Sequence, residues 1–117
     1  GVLLYEKKDY EAAFAVLDKV IAAGGDLEAE AYAKKGDCYF FPAQDIVNEN
    51  SSLNLEDPKY NTNEAKIKEL YEKAKPFYEK ARQLEPDNTQ LWGQMLLRIY
   101  WKLNKAEYDV LAKELGY

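Results

Sequence analysis

Apolar residues recur every three or four positions along most of the chain, which is the spacing of an amphipathic helix. Three such stripes stand out: Tyr10, Ala13, Leu17 and Val20; Tyr71, Ala74, Tyr78 and Ala81; Tyr108, Leu111, Ala112 and Leu115. Gly24-Gly25-Asp26 and Pro86-Asp87-Asn88 interrupt the pattern with residues that end one helix and begin the next. The pattern predicts an all-α fold of short antiparallel helix pairs, with Asn88 capping the helix that contains Trp92.

The same spacing recurs as an internal repeat. The positions of Tyr10, Ala13 and Leu17 recur 61 residues later, and those of Tyr32, Gly36 and Tyr39 recur 60 residues later. A helix-pair unit of about 34 residues accounts for both offsets if about 26 extra residues lie within the middle unit. We therefore predict an insertion between the two helices of that unit, at about residues 42–64.

The repeated positions resemble the tetratricopeptide repeat family, whose pattern is W-x2-L-G-x2-Y, then A-x3-F, then P. The middle unit matches at Tyr32, Gly36, Tyr39, Ala74-x3-Tyr78 and Pro86, whereas the last unit keeps Trp92 and departs from the pattern afterwards. The resemblance implies a right-handed superhelical stack of about 2.5 repeats. These would be a truncated first repeat at residues 1–25, a second at 28–86 that contains the insertion, and a C-terminal capping repeat at 88–116.

The inserted segment is polar and rich in turn-forming residues. Residues 42–60 contain several Asn and Ser and two Pro, which is typical of an exposed loop, and Asn61 followed by Glu64 indicates a capping box that starts a helix near Thr62. Asn50-Ser51-Ser52 fits the pattern of a glycosylation acceptor. The acids of the segment lack the spacing of a calcium loop, so we predict no metal site.

Composition excludes several classes of function. Sixteen basic and 21 acidic residues give a net charge of −5, which provides no positive field for nucleic acid. The chain has no histidine, which removes the commonest catalytic base, and its single cysteine, Cys38, has no neighbour that would activate it. The longest apolar run, residues 12–17, is far shorter than the about 20 residues of a membrane span. We predict no catalytic residue, no cofactor and no membrane insertion.

The resemblance also implies a binding groove, because the family places the first helix of each pair on the concave side of the stack. The aromatic members of this face would form one end of the groove and its polar members the other. The candidate residues for a partner-binding groove are Tyr5, Lys34, Asp37, Phe40, Phe41, Gln90, Gln94, Leu97, Tyr100 and Trp101. The alternative, that the aromatic residues pack beneath the insertion or beneath an added upstream helix, stays open. Ala33 and Asp37 stand where the family's carboxylate clamp has a cation and an amide, so the nearby Lys34 and Arg98 give that clamp little support.

By this resemblance the chain is expected to be a non-catalytic scaffold that binds a protein or peptide. The alternative is a helical segment of an envelope glycan-uptake protein whose aromatic residues stack on sugar rings. The resemblance to bacterial repeat proteins favours an exported or envelope location over the cytoplasm. We also expect this chain to be the C-terminal part of a longer repeat protein whose upstream residues complete the first pair, because Val2, Leu3, Leu4 and Tyr5 are apolar on more than one side. The oligomeric state stays open.

Overall fold

A computed structural model describes residues 7–117, with side chains described from residue 12 onward. Over this range the chain forms five α-helices and no strand, which confirms the all-α prediction. The helices are α1 (Lys7–Ala23), α2 (Glu28–Asn50), α3 (Pro58–Leu84), α4 (Gly93–Leu103) and α5 (Lys105–Glu114), and a single 3-10 turn, Thr89–Leu91, precedes α4.

Helices α2 and α3 form a long antiparallel hairpin that provides most of the core. Asp37 lies opposite Tyr78, Gln44 opposite Tyr71, and Asn50 opposite Asn63, so the partners run in opposite directions along the chain. Helix α4 packs against α3, and α5 packs against α4, which completes the interior. The largest fully buried side chains are Trp92, Tyr78, Ile67, Leu96, Ile99 and Leu111.

Helix α1 packs on the hairpin through aromatic contacts. The ring of Phe14 lies 5.5 Å from that of Tyr39 on α2 and 6.2 Å from that of Phe77 on α3, measured between centroids. The ammonium of Lys35 lies 5.1 Å and 5.0 Å from the centroids of Phe14 and Phe77, and it bonds Asp18 at 2.6 Å. Cation–π and ion-pair contacts therefore join α1 to the next two helices.

The turns at helix ends follow the glycine signals of the sequence. Gly24 and Gly25 have φ angles of 70° and 86°, a left-handed conformation that glycine adopts without a steric penalty, and they separate α1 from α2. Gly116, with φ of 90°, follows α5. The predicted stripe on α5 is confirmed, since Leu111 and Ala112 are buried and Tyr108 and Leu115 are partly buried against the core.

The predicted loop at residues 42–60 is wrong. Helix α2 continues through Pro42 to Asn50, and α3 begins at Pro58, so only residues 51–57 connect the two helices. Proline inside a helix costs about 3 kcal/mol because it removes a hydrogen bond and crowds the preceding turn. Here Ala43, Ile46 and Val47 follow Pro42 at helical spacing and pack against the core, which offsets that cost. Most of residues 42–64 therefore belong to the two helices of the hairpin.

Two predicted helix caps are also wrong. Helix α3 starts four residues before Thr62, and its N-cap is Asp57, whose carboxylate accepts a hydrogen bond from the Lys59 backbone N–H at 2.9 Å. Pro58 at the first position fits a helix start because its missing N–H would be unpaired there in any case. Asn88 precedes the 3-10 turn instead of capping α4, and its amide donates to Glu85 Oε1 at 3.2 Å.

Asn50, the residue of the glycosylation pattern, is buried at the end of α2. Its side chain is 5% exposed, its Nδ2 donates to the Tyr60 carbonyl at 3.2 Å, and its Oδ1 accepts from Asn63 at 2.9 Å. A sugar on this nitrogen would have to break the contacts that join α2 to α3. The side chain therefore acts as a polar link between the helices and is not accessible for glycosylation.

The connection at residues 51–57 is expected to be the first site of proteolysis. Leu55 is 72% exposed, and exposed polar connections are the preferred sites of nicking. Brief digestion with chymotrypsin or a glutamyl endopeptidase should cut after Leu55 or Glu56, as identified by mass spectrometry, and leave the helical segments on either side intact. A first cut in the turn at Gly24-Gly25-Asp26, or inside α3, would contradict this prediction.

Candidate functional site

A groove of about 540 Å³ lies between α2 and α4, with further residues from α3, α5 and the segment after α5. Its volume falls within the range of about 300–1,000 Å³ typical of ligand clefts. The residues that line this α2–α4 groove are Gln44, Val47, Tyr71, Gln94, Leu97, Arg98, Trp101, Lys102, Tyr108 and Tyr117.

Three of the predicted site residues meet in the α2–α4 groove. Gln94, Leu97 and Trp101 are spaced by three and four positions on α4, so they share one face of the helix. A fourth predicted residue, Gln90, lines a neighbouring cavity of about 170 Å³, which shares Gln94 and Tyr117 with the groove. The amide of Gln94 donates to the Tyr117 hydroxyl at 2.5 Å. The predicted α4 face is therefore a continuous lining that extends to the 3-10 turn.

Trp101 and Tyr117 are the exposed aromatic residues of the groove, and Trp101 is the one whose ring is held by neighbouring side chains. Its side chain is 58% exposed, although Tyr108 contacts it edge-on at 5.0 Å between centroids. The Lys105 ammonium lies 3.7 Å from the centroid of the Trp101 ring and 4.9 Å from that of Tyr108. These two neighbours hold the indole in place and leave much of its apolar surface in water, which favours contact with a ligand.

Tyr71 provides a polar group at the base of the groove. Its ring is buried and stacks on Phe40 at 5.6 Å, and its hydroxyl donates a hydrogen bond to Gln44 Oε1. Burial raises the pKa of the Tyr71 hydroxyl, and the positive charge of Arg98 opposes this shift. The hydroxyl is therefore neutral at physiological pH, and its hydrogen bond fixes the orientation of Gln44.

The charged residues of the groove are both basic. Lys102 forms an ion pair with Glu64 of α3, which lies outside the lining, so its charge is locally neutralised. Arg98 is exposed and makes no hydrogen bond or ion pair with any residue from 12 to 117. The groove therefore carries one uncompensated positive charge on a protein whose net charge is −5.

Two of the predicted groove residues are interior instead of exposed. Phe40 is 4% exposed and packs between Tyr71 and Tyr78, and Tyr100 is 3% exposed and donates its hydroxyl hydrogen bond to Glu79 at 2.6 Å. Both side chains are therefore packed in the interior, and the α3 residues that they contact, Tyr71, Tyr78 and Glu79, lie outside the predicted insertion at residues 42–64. Burial and the neighbouring Glu79 carboxylate both raise the pKa of Tyr100.

The remaining predicted residues lie away from the α2–α4 groove. Lys34 is exposed and pairs with Glu30 at 3.5 Å, and Phe41 is partly exposed beside Phe40. Asp37 accepts a hydrogen bond from the Tyr78 hydroxyl, and burial raises the pKa of its carboxyl. Binding of a partner at these three positions stays a prediction, and Tyr5 lies outside the described residues.

Several lining residues were not among the sequence candidates. Gln44 and Val47 were assigned to a loop, although they follow Phe40 at the four- and seven-residue intervals of one helix face. That spacing was the available signal, and Pro42 concealed it. Tyr108 and Tyr117 come from the capping segment, where the repeat pattern is degenerate and gives no register.

Cys38 is half-buried in α2. Burial raises the pKa of its thiol, and the neighbouring Asp37 carboxylate raises it further. A raised pKa lowers the thiolate fraction at neutral pH, so the local electrostatics agree with the expectation of an unreactive cysteine.

Within the described part of the chain, no group of three or more His, Cys, Asp or Glu side chains is arranged to hold a metal ion. The same residues contain no helix long and apolar enough to cross a membrane. Comparison of the chain with protein-family models, with curated proteins and with solved structures gives no match.

Proposed function

We propose that this chain is a tetratricopeptide-like scaffold that binds a peptide segment of a partner protein in the α2–α4 groove and catalyses no reaction. The observation that carries the proposal is the composition of that groove, which combines an exposed tryptophan, a buried tyrosine and an unpaired arginine on helices fixed by the core. Exposed aromatic and arginine side chains are the commonest energetic anchors of protein interfaces.

The packing of the repeat positions supports the tetratricopeptide-like part of the proposal. The small residues Ala74 and Ala81 are fully buried, and Gly36 packs directly on the ring of Tyr78. In the last unit, Trp92, Leu96 and Ile99 occupy the corresponding interior positions. The residues that carry the resemblance in sequence are thus buried between the helices.

The chemistry of the lining supports binding without catalysis. Its ten residues include no carboxylate, imidazole or thiol, the groups that most often act as a base or nucleophile near neutral pH. Burial raises the pKa of Tyr71 further from neutrality, so almost no tyrosinate is present at neutral pH to act as a base. Tyr71, Arg98 and the two glutamines are suited to donate or accept hydrogen bonds in a static complex.

A peptide fits the groove better than a sugar ring. Stacking of a sugar requires an open aromatic face, and the Lys105 ammonium lies 3.7 Å from the centroid of Trp101 on one face of the indole. An apolar peptide side chain needs no complete open face, because it can contact the exposed edge of the indole without displacing that ammonium. The backbone of an extended peptide also presents the donors and acceptors that Gln44 and Gln94 pair with.

Replacing Trp101 with Ala is expected to weaken peptide binding by about 1–2 kcal/mol, or about five- to thirtyfold, because the indole is the main apolar contact. Peptides selected on the wild-type protein from a random phage-displayed library would be titrated by fluorescence anisotropy. Leu27→Ala is the matched control, since it removes an exposed apolar side chain outside the groove and should leave the affinity unchanged.

The outcomes of this experiment separate the two functions. If no peptide is enriched and soluble oligosaccharides shift the tryptophan fluorescence, the glycan alternative replaces the proposal. If Trp101→Ala leaves the affinity unchanged but lowers the melting temperature, Trp101 serves packing and the groove is not the site.

A further inference from the structure

Only one of the two basic side chains that line the α2–α4 groove is available to bind an acidic ligand. Of its two basic residues, Lys102 is paired with Glu64, and that carboxylate also accepts from Asn50 Nδ2 at 3.4 Å, so the Lys102 charge is held within the protein. Arg98 has no such partner among residues 12–117. An incoming carboxylate therefore meets a single arginine that is free to bind it through two parallel hydrogen bonds.

Arg98 and Trp101 are neighbours on the same face of α4. They are three residues apart, which places their Cβ atoms about 5–6 Å from each other. In an extended peptide, alternate side chains point to the same side and lie about 6.6 Å apart. A peptide that places one side chain on Trp101 therefore brings the side chain two positions away to Arg98.

We infer that the groove selects peptides in which Asp or Glu lies within two positions of an apolar residue, with the carboxylate on Arg98 and the apolar side chain on Trp101. This inference rests on the proposed function and names the class of peptide that the same groove takes. It differs from a clamp on a chain terminus, because a side-chain carboxylate is sufficient.

The proposed preference for acidic peptides depends on the charge of the groove and not on the net charge of the protein. The whole protein carries a net charge of −5 and would repel an acidic peptide at long range, so a preference for acids must come from the groove itself. The absence of any carboxylate among the ten lining residues makes such a preference possible, because no acid of the groove competes for Arg98. An acidic partner is therefore selected when it contacts Arg98, and not during its diffusion toward the protein.

The test uses synthetic peptides resynthesised from the phage selection, blocked at both ends, in pairs that differ only by Glu or Gln. On the wild-type protein we expect the Glu peptide to bind about tenfold more tightly than the Gln peptide, since a hydrogen-bonded charged group is worth more than a neutral one. Arg98→Gln should abolish this preference, so that the Glu and Gln peptides bind the variant with equal affinity.

Lys68→Gln is the matched control. Lys68 is exposed on α3, lies outside the groove, and makes no ion pair within the described range, so its replacement changes the net charge equally. This variant should keep the tenfold preference, and circular dichroism should show that both variants are folded.

Each outcome of this experiment bears on either the inference or the proposed function. Equal binding of the Glu and Gln peptides to the wild-type protein overturns the inference while the proposed function stands. Loss of the preference in Lys68→Gln as well as in Arg98→Gln overturns it too, because the effect would then come from net charge. Binding of a uronate oligosaccharide, with no peptide enriched, assigns Arg98 to an acidic sugar and removes the proposed function as well.

Discussion

Trp92→Ala is expected to lower the free energy of unfolding by about 3–5 kcal/mol, which is the usual cost of emptying a buried aromatic site. Trp92 is 1% exposed at the junction of α3 and α4, and its indole N–H donates to the Glu85 carbonyl at 3.1 Å. The guanidinium of Arg82 lies 5.3 Å from its ring. The substitution removes both contacts together with the buried ring, and it leaves the carbonyl at the end of α3 without this donor.

Trp101→Ala is the matched control for this prediction, because the chain has only two tryptophans and they differ in burial. Loss of the exposed indole should cost about 1 kcal/mol, from its contacts with Tyr108 and Lys105. Chemical denaturation followed by circular dichroism measures both variants. Equal losses would contradict the assignment of Trp92 to the core and Trp101 to the surface. Domains of this size are stable by about 5–15 kcal/mol, so Trp92→Ala is expected to leave a small margin.

The positions of the core were predictable because the repeat specifies them twice. Trp92 was placed by its match to Tyr32, and Tyr78 by its match to Leu17, before any contact was known. Two occurrences of one spacing constrain the register more strongly than the apolar periodicity of a single helix. The buried state of Trp92, Tyr78 and Ala81 follows from that register.

The extent of the hairpin was not predictable from local signals. Pro42 and the Asn- and Ser-rich stretch after it favour a loop, and the decisive contacts are distant in sequence, such as Asn50 with Asn63 and Tyr71 with Gln44. Local preferences for a loop amount to a few kcal/mol, and the packing of a long hairpin exceeds them. The start of α3 was misplaced for a related reason, since Asp57 followed by Pro58 and Asn61 followed by Glu64 are both good starting signals.

The candidate site was half predictable for the same reason. The α4 side of the groove was predicted through Gln94, Leu97 and Trp101, because the resemblance implies which face of this helix is free and these three residues share it. The α2 side was not, since Gln44 and Val47 lie beyond Pro42, in the segment assigned to a loop. Which of the aromatic residues are exposed depends on Tyr71 covering Phe40, a contact that no spacing in the sequence indicates.

Gly36→Ala is expected to destabilise the protein by about 1–2 kcal/mol, although alanine is the better helix former. A methyl group at Gly36 would lie 2.8 Å from Cζ of Tyr78, closer than carbon atoms pack. The Tyr78 ring has no room to retreat, because it is fully buried, its hydroxyl donates to Asp37, and Phe40 contacts it edge-on at 6.0 Å. Overpacking of this kind costs about 1–3 kcal/mol, which exceeds the gain in helix propensity of about 1 kcal/mol.

Gly93→Ala separates the two contributions to that balance. A methyl group there would meet Leu115 and Thr89 at 3.5 Å, an ordinary contact, so this variant should show no loss of stability.

In a Tyr78→Leu background the smaller side chain relieves the clash, and Gly36→Ala should then cost less than it does in the wild-type protein. Thermal and chemical unfolding of the four variants measures this coupling. If Gly36→Ala is tolerated as well as Gly93→Ala, close packing of Gly36 against Tyr78 does not stabilise the hairpin. The glycine at this position would then need another physical explanation.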